Sequence, residues 1–211
     1  MALSTPIQYP CPRCQEPVQA IMHQSFVLED DEALRTILEQ RFHVLDCTKC
    51  GQKKHFEADF LVTDKARDLL VQVVTRDEKV ASMIEAMRSM LGDRKAHARI
   101  VASRNELVEK VKLWSAGLDD VAIEVLKHFL RIQLKDLEGK TTRYFERQEG
   151  EELFFSVLTP GEPARGMKVP LQVYRNIQRD LDTPRFAGEL EVDERIARRL
   201  LDAKLEAQKK A

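Results

Sequence analysis

The feature that most constrains this chain is its set of four cysteines, which form two matched C-x-x-C hooks, Cys11-Pro-Arg-Cys14 and Cys47-Thr-Lys-Cys50. Each hook turns the chain back so that two sulfurs face one point. Four thiolates make a closed tetrahedral shell for zinc and leave no position for a water ligand. The sequence therefore predicts a structural Zn²⁺ site made of Cys11, Cys14, Cys47 and Cys50.

Two other uses of paired cysteines compete with this prediction: disulfides in a secreted domain and a thioredoxin-like redox pair. The first residues lack the basic start and apolar run of a signal peptide, and no apolar stretch approaches the ~18 residues of a membrane helix. The second, similar hook also argues against a single redox pair. We expect a cytoplasmic protein with reduced thiols, and an iron or redox site stays open as the alternative metal chemistry.

The residue after each hook is a second point of interest. Gly51 follows the second hook, and glycine takes the positive φ that closes such a turn. Gln15 stands at the same place after the first hook. It must either adopt an uncommon positive φ or leave that turn less tight.

The spacing of the hooks predicts an α+β fold. Residues 15–46 separate them, more than the ~15–20 residues usual in a zinc module, and an acidic helix start at residues 29–31 indicates an inserted helix. Strand-like stretches are predicted at 18–28, 42–46, 56–62, 69–74 and 98–102. We expect a zinc-ribbon-like antiparallel sheet with inserted and flanking helices.

Helices dominate the middle of the chain. A stripe over residues 80–91 ends at Gly92, and its methionines (Met83, Met87, Met90) suit core packing better than an adaptable groove. Ser103 and Glu106 form a capping-box pattern before a helix over 104–114. A longer helix, capped by Asp119 or Asp120, is predicted to run to about residue 137.

These last two helices have the spacing of a helix-turn-helix, with Lys127, Arg131 and Lys135 as a basic row. A solvated helix edge has the same pattern and is the interpretation we favour. The acidic residues Asp119, Asp120 and Glu124 suggest a second metal or acid–base chemistry, but helix capping explains the two aspartates.

Beyond residue 138 the pattern changes. A hairpin is predicted from 141–147 and 153–158 with Gly150 in its turn, followed by a strand, a short helix and a final helix capped by Asp193. That helix carries Ile196, Leu200, Leu201 and Leu205. We expect two domains, 1–138 for the zinc-ribbon part and 139–211 for a small C-terminal α/β extension, with packing of the second on the first left open.

A family resemblance follows from several segments in order. The Cys-Pro-x-Cys start, the second Cys-x-x-Cys-Gly, and the stretches RIVASRNELVEK (99–110) and AGLDDVAIEVLK (116–127) resemble the CpXC domain family over roughly residues 7–135. Thr48 departs from a repeated Cys-Pro pattern without removing a ligand. The resemblance implies a bacterial or archaeal protein with a cysteine metal site and implies no further activity.

Composition and motifs favour a non-catalytic protein. The 34 basic and 35 acidic residues give a net charge of −1, and we find no phosphate loop, nucleophile elbow or paired-histidine helix motif. His55 beside the second hook is expected to be a surface or supporting residue. We expect a scaffold that binds another protein or itself, no membrane, and no evident small-molecule substrate. The alternative is nucleic-acid binding through Lys49, Lys53, Lys54 and His55, with Phe56 as the one aromatic neighbour.

Overall fold

The computed structural model of the chain describes residues 3–93, 96–134, 140–181, 183–186 and 188–210. The chain divides into two compact units, Met1–Val108 and Glu109–Ala211. The boundary predicted between residues 138 and 139 lies outside the described residues and stays a prediction. Within the described residues, no helix is both long and apolar enough to cross a bilayer.

The first unit is built on a five-stranded sheet with the order β1-β2-β5-β6-β7. Its strands are β1 (Leu3–Pro10), β2 (Pro17–Val27), β5 (Phe60–Asp64), β6 (Leu69–Val73) and β7 (His97–Val101). The β1/β2 and β5/β6 pairs are antiparallel, whereas β2/β5 and β6/β7 are parallel. The α+β class is confirmed, and the sheet is mixed where a purely antiparallel one was expected.

A second, short hairpin lies between β2 and β5 in sequence. It consists of β3 (Val44–Asp46) and β4 (Lys53–His55), which pair antiparallel with Asp46 opposite Lys53. The second cysteine hook is the connection between these two strands, just as the first hook connects β1 to β2. Both hooks therefore close hairpins.

The helices of this unit follow their predicted signals. Helix α1 (Asp31–Leu38) is the predicted insertion, with Asp30 accepting hydrogen bonds from the N–H groups of Glu32 and Ala33. Helix α2 (Val80–Leu91), which follows a short 3-10 turn (Asp77–Lys79), ends at Gly92 with φ 52°. Met87 is buried, but Met90 is 60% exposed. Core packing therefore accounts for Met87 and not for the whole methionine stripe.

The second unit contains the later part of a helix that begins in the first unit, one complete helix and a three-stranded sheet before its C-terminal helices. Helix α3 (Arg104–Ser115) leads through Gly117 to α4 (Asp120–Gln133), which is capped by Asp119. The strands β8 (Thr142–Glu149), β9 (Glu152–Leu158) and β10 (Arg165–Pro170) form an antiparallel meander, with Gly150 in the predicted turn. Helix α5 (Leu171–Asp180), a 3-10 turn (Thr183–Phe186) and α6 (Glu194–Lys210) complete the unit.

One apolar core holds this unit together. Residues 121–126 of α4 are all buried, and Phe145, Phe155 and Tyr174 pack in the same cluster. Ile196, Ala197 and Leu200 of α6 belong to it as well. The predicted apolar stripe of the last helix therefore packs internally as far as it is described, and the side chain of Leu205 lies outside the described set.

Some observed elements differ from the predicted ones in presence or extent. The strand β1 was not predicted, because its two prolines obscure its alternation. Residues 56–59 are not in a strand, and the strand predicted there begins at Phe60. Helix α4 ends at Gln133 with Leu134 as its C-cap, and the remaining residues predicted for it (135–137) lie outside the described ranges. Phe129 and Ile132 are exposed, so the buried face of α4 is confined to its first two turns.

Candidate metal centre

The two cysteine hooks adopt the same backbone turn. In the first, the N–H of Gln15 donates to the carbonyl of Cys11 at 2.9 Å, and the N–H of Cys11 donates to the carbonyl of Glu16 at 2.8 Å. In the second, the N–H of Gly51 donates to Cys47 at 2.8 Å, and that of Cys47 donates to Gln52 at 2.9 Å. The hydrogen bonds of each turn hold both of its cysteines on one side of the hairpin.

Both turns require a residue with positive φ just after the second cysteine. Gly51 has φ 70° and Gln15 has φ 60°. Of the two alternatives for Gln15, the structure therefore shows the uncommon φ and an equally tight turn. Because a non-glycine residue at this φ carries a steric cost, Gln15 holds a small strain that Gly51 avoids.

The four sulfurs lie together as the spacing predicted. The Sγ atoms of Cys11 and Cys50 are 3.6 Å apart, as are those of Cys14 and Cys47, and all four lie within 4.8 Å of one another. A tetrahedron with Zn–S bonds of about 2.3 Å has edges of about 3.8 Å, whereas a disulfide requires about 2.05 Å. The arrangement fits four ligands of one metal ion and excludes disulfides in this state.

The cluster is partly shielded from water. Cys11 and Cys47 are buried, Cys14 and Cys50 are half-buried, and Val18 packs against them. In the described part of the chain, no histidine or carboxylate joins the four sulfurs as a further candidate ligand. The donor set is therefore closed at four, which is the arrangement of a structural rather than a catalytic site.

As free thiols, the four groups cannot all ionise, because their charges would repel at this distance. The pKa of Cys11 is lowered to about 6, chiefly by a hydrogen bond from the backbone N–H of Cys14. The backbone N–H of Glu16 favours the thiolate of Cys14, but burial and the neighbouring sulfurs outweigh it and raise that pKa to about 12. A divalent cation among the sulfurs favours four thiolates at once.

Ion pairs surround the hooks. Lys49 in the second hook pairs with Glu16 beside the first, and this carboxylate raises the pKa of Lys49. Lys53 pairs with Asp46 across the β3–β4 hairpin at 2.6 Å. Among the described residues, Lys54 has no ion-pair partner. Two of the three lysines proposed for nucleic-acid contact are therefore neutralised by carboxylates.

His55 is not a member of the sulfur cluster. It is exposed at the end of β4, and its Nδ1 contacts the guanidinium of Arg104 and lies 3.4 Å from the carbonyl oxygen of Phe42. The expectation that His55 is a surface residue outside the ligand set agrees with this position.

The basic row interpreted as a solvated helix edge, with DNA recognition as the alternative, does not form such an edge. Lys127 is bound to the carboxylates of Glu109 and Glu124, and Arg131 pairs with Glu194. Lys135 lies outside the described residues. Because carboxylates engage the first two cations, the solvated-edge interpretation is wrong for them, and nucleic-acid binding by this pair of helices is not shown.

The acidic cluster is also engaged within the protein. Asp119 caps α4 by accepting from the N–H groups of Val121 and Ala122, as predicted. Asp120 forms a buried ion pair with Lys110 at 2.8 Å. Burial raises the pKa of Glu124, against the attraction of Lys127 and Lys110. Asp120 and Glu124 thus balance lysines and Asp119 acts as a cap, and among the described residues the three do not form a candidate metal site.

A cavity in the first unit was not predicted. It has a volume of about 300 Å³ and is lined by residues that include His43, Phe56, Phe60 and Arg104. His43 is buried at 2% exposure and has φ 51°. A lone histidine and a lone arginine at distant positions give no sequence pattern, and the fold alone brings them together.

Comparison with known proteins identifies one family. The family model described as CpXC protein matches residues 9–127, which is more than half of the chain and includes both cysteine hooks. No curated protein and no solved structure matches the chain.

Proposed function

This chain belongs to the CpXC family, and we propose that it is a zinc-stabilised, non-catalytic scaffold that binds another protein or a second copy of itself in a reducing, cytoplasmic compartment. The observation that carries the proposal is the closed, buried cluster of four sulfurs. Zinc in such a shell has no open position for a substrate or an activated water. Its role is to hold structure.

The position of the cluster indicates which structure it holds. It joins the β1–β2 hairpin to the β3–β4 hairpin, whose strands have three residues each. Isolated two-stranded hairpins are marginally stable in water, so a cross-link through metal supplies stability that this hairpin lacks. We infer that metal binding fixes the position of the β3–β4 hairpin against the β1–β2 hairpin in the first unit.

Exposed apolar side chains on the edge hairpin support a protein partner. Leu3 and Tyr9 of β1 and Ile21 of β2 are each about half exposed, at 59%, 50% and 47%. Strand β1 is at the edge of the sheet, with most of its residues exposed. Apolar side chains on an edge next to a rigid metal site suit contact with another protein.

Nucleic-acid binding is the alternative, and it has less support. The Lys49–Glu16 and Lys53–Asp46 pairs reduce the positive charge around the second hook. Phosphate contacts need free cations, and the net charge of the chain is −1.

The test compares both classes of partner with the full, metal-loaded chain. Labelled single- and double-stranded DNA and RNA are expected to show no saturable binding at low ionic strength, whereas cross-linking and mass spectrometry are expected to join Lys53 or Lys54 to a protein. Loss of those cross-links in Cys47→Ser would tie the surface to the metal. Salt-sensitive probe binding, or intramolecular cross-links alone, would contradict the proposal.

A further inference from the structure

The cavity of about 300 Å³ in the first unit lies where several elements end. Its wall combines residues just before and after the β3–β4 hairpin, the last residue of β6 and the first turn of α3. This volume is at the lower end of the range for small-ligand sites.

Arg104 is the cation of this cavity. Its guanidinium lies 4.6 Å from the centre of the Phe42 ring and contacts Nδ1 of His55. Within the described residues, no carboxylate forms an ion pair with Arg104. Burial lowers the pKa of Arg104, and the more distant charge of Glu57 offsets this in part. A partly desolvated cation that has no ion-pair partner carries a cost that a bound anion would reduce.

The start of α3 adds donors beside this cation. Ser103 accepts a hydrogen bond from the N–H of Glu106, and the Glu106 carboxylate accepts from the N–H of Ala102 at 2.9 Å. This is the predicted capping box with one difference: the Glu106 carboxylate accepts from the N–H of Ala102 and not from that of Ser103. The N–H groups of Arg104 and Asn105, in the first helical turn, have no acceptor within the helix, and both residues line the cavity. Free N–H groups and the helix dipole favour a negative charge at this end.

The remainder of the wall is largely aromatic and apolar, apart from the carboxylate of Glu57 and the imidazole of His55. Phe42 and Phe60 are buried, and Phe56 stacks on the imidazole of His43 with ring centres 5.0 Å apart. Burial lowers the pKa of His43 to about 4, so its ring is neutral near pH 7. The positive charge that the described residues bring to the wall is therefore concentrated at Arg104, next to an apolar surface of flat rings.

His43 is held firmly in this wall. Its Nε2 lies 3.0 Å from both the backbone nitrogen and the carbonyl oxygen of His23, and its own carbonyl accepts from the N–H of Phe56 at 2.9 Å. These contacts support a backbone with φ 51°, which a histidine adopts at a steric cost. The wall is thus preformed rather than assembled around a ligand.

From this geometry we propose that the cavity binds a small organic anion. A carboxylate or phosphate group accepts hydrogen bonds from the Arg104 guanidinium and the first turn of α3, and a flat apolar body lies against Phe42, Phe56 and Phe60. This site is separate from the sulfur cluster, and the proposal does not depend on which protein the scaffold binds.

The test titrates the metal-loaded full chain with benzoate, phenyl phosphate and benzamide, which is the neutral isostere of benzoate. Binding is followed by calorimetry and by NMR of the amides of His43 and Phe56. At least one anion is expected to bind roughly tenfold or more tightly than benzamide, and the better of the two anions identifies the preferred head group.

Two variants and one control test whether Arg104 and the first turn of α3 bind the anionic group. Arg104→Met is expected to weaken anion binding roughly tenfold or more and to leave benzamide unchanged. Asn105→Asp puts a carboxylate in the first turn of α3, where it favours the helix but repels the anion, so it separates lost binding from lost folding. Arg165→Met, at an exposed arginine paired with Glu162, is the matched control and should bind as the wild type does.

Equal binding of benzoate and benzamide would overturn the proposal. So would undiminished anion binding by Arg104→Met and Asn105→Asp, or the absence of saturable shifts at His43 and Phe56 with both anions.

Discussion

Gln15 and Gly51 occupy the same place in two turns that share their hydrogen bonds. Their φ angles, 60° and 70°, are nearly equal, although one residue has a Cβ atom and the other does not. The turn geometry therefore follows from the cysteine spacing and the hydrogen bonds. The residue type in the left-handed position changes the free energy of the turn but not its backbone angles.

A pair of substitutions tests this difference. Gln15→Gly is expected to raise the free energy of unfolding by up to about 1 kcal/mol, because relief of the left-handed strain exceeds the added entropy of an unfolded glycine. Gly51→Ala is expected to lower it by about 1–2 kcal/mol. No atom lies within 4 Å of a Cβ placed at Gly51, so the loss comes from the backbone alone. Thermal and denaturant unfolding would measure both changes.

Gly166 is the matched control for these variants. A Cβ atom placed there would also meet nothing within 4 Å, but Gly166 lies in strand β10 and has no positive φ. Gly166→Ala should change stability little. A loss at Gly51→Ala no greater than at Gly166→Ala would contradict the strain argument.

The role of a single residue was predictable from the sequence where its residue type and its near neighbours favour one role. The clustering of the four cysteines, the helix start at residues 29–31, the cap at Asp119 or Asp120 and the turn residues Gly92 and Gly150 are confirmed, because short sequence motifs determine them. Lys127 was not, since its partner Glu109 is on another helix and sequence spacing cannot show that contact.

At the scale of elements, the β3–β4 hairpin is the part of the fold that the proposed metal would stabilise most. Three residues in each strand give few hydrogen bonds, and its lysines and His55 are exposed. The sulfurs of Cys47 and Cys50 tie it to the first hook. On the proposed metal assignment, loss of one cysteine removes the main support of this hairpin.

Cys47→Ser is thus expected to lower the melting temperature of the metal-loaded protein by several degrees more than His55→Ala does. Structural zinc contributes on the order of 10 kcal/mol of apparent binding energy in small modules, whereas an exposed histidine contributes about 0.5 kcal/mol. Hydrogen exchange at the amide of Phe56, which donates to the carbonyl of His43, should accelerate in Cys47→Ser. Equal melting temperatures for the two variants would argue against a structural metal.

Helices and strands whose apolar residues repeat with a clear period were predicted. The pairing of strands that are distant in sequence was not predicted. The helices α1, α2 and α4 and the hairpin β8–β9 follow local patterns. The parallel pairing of β2 with β5 joins distant strands, and no local signal encodes it. The prolines of β1 suit an edge strand, and that signal becomes clear only when the partner strand β2 is known.

At the scale of the whole molecule, the family match covers residues 9–127 and ends inside α4. Residues near the end of this matched segment form hydrogen bonds with strands and helices that follow it. Glu109 accepts a hydrogen bond from the N–H of Phe145 at 2.7 Å, and Lys110 donates to the carbonyl of Val192 at 3.1 Å. Both residues are buried and also carry the ion pairs to α4. Buried side chains of the matched segment thus form direct hydrogen bonds with the C-terminal part of the chain.

The central claim is that four thiolates hold one zinc ion that supports the fold. Its most direct test is elemental mass spectrometry of protein purified in metal-free buffer, with thiols counted before and after chelation. We expect one zinc per chain and four thiols released on its removal, together with a lower melting temperature. Protein without metal, or iron with redox-active thiols, would contradict the claim and make the same four cysteines a reaction centre.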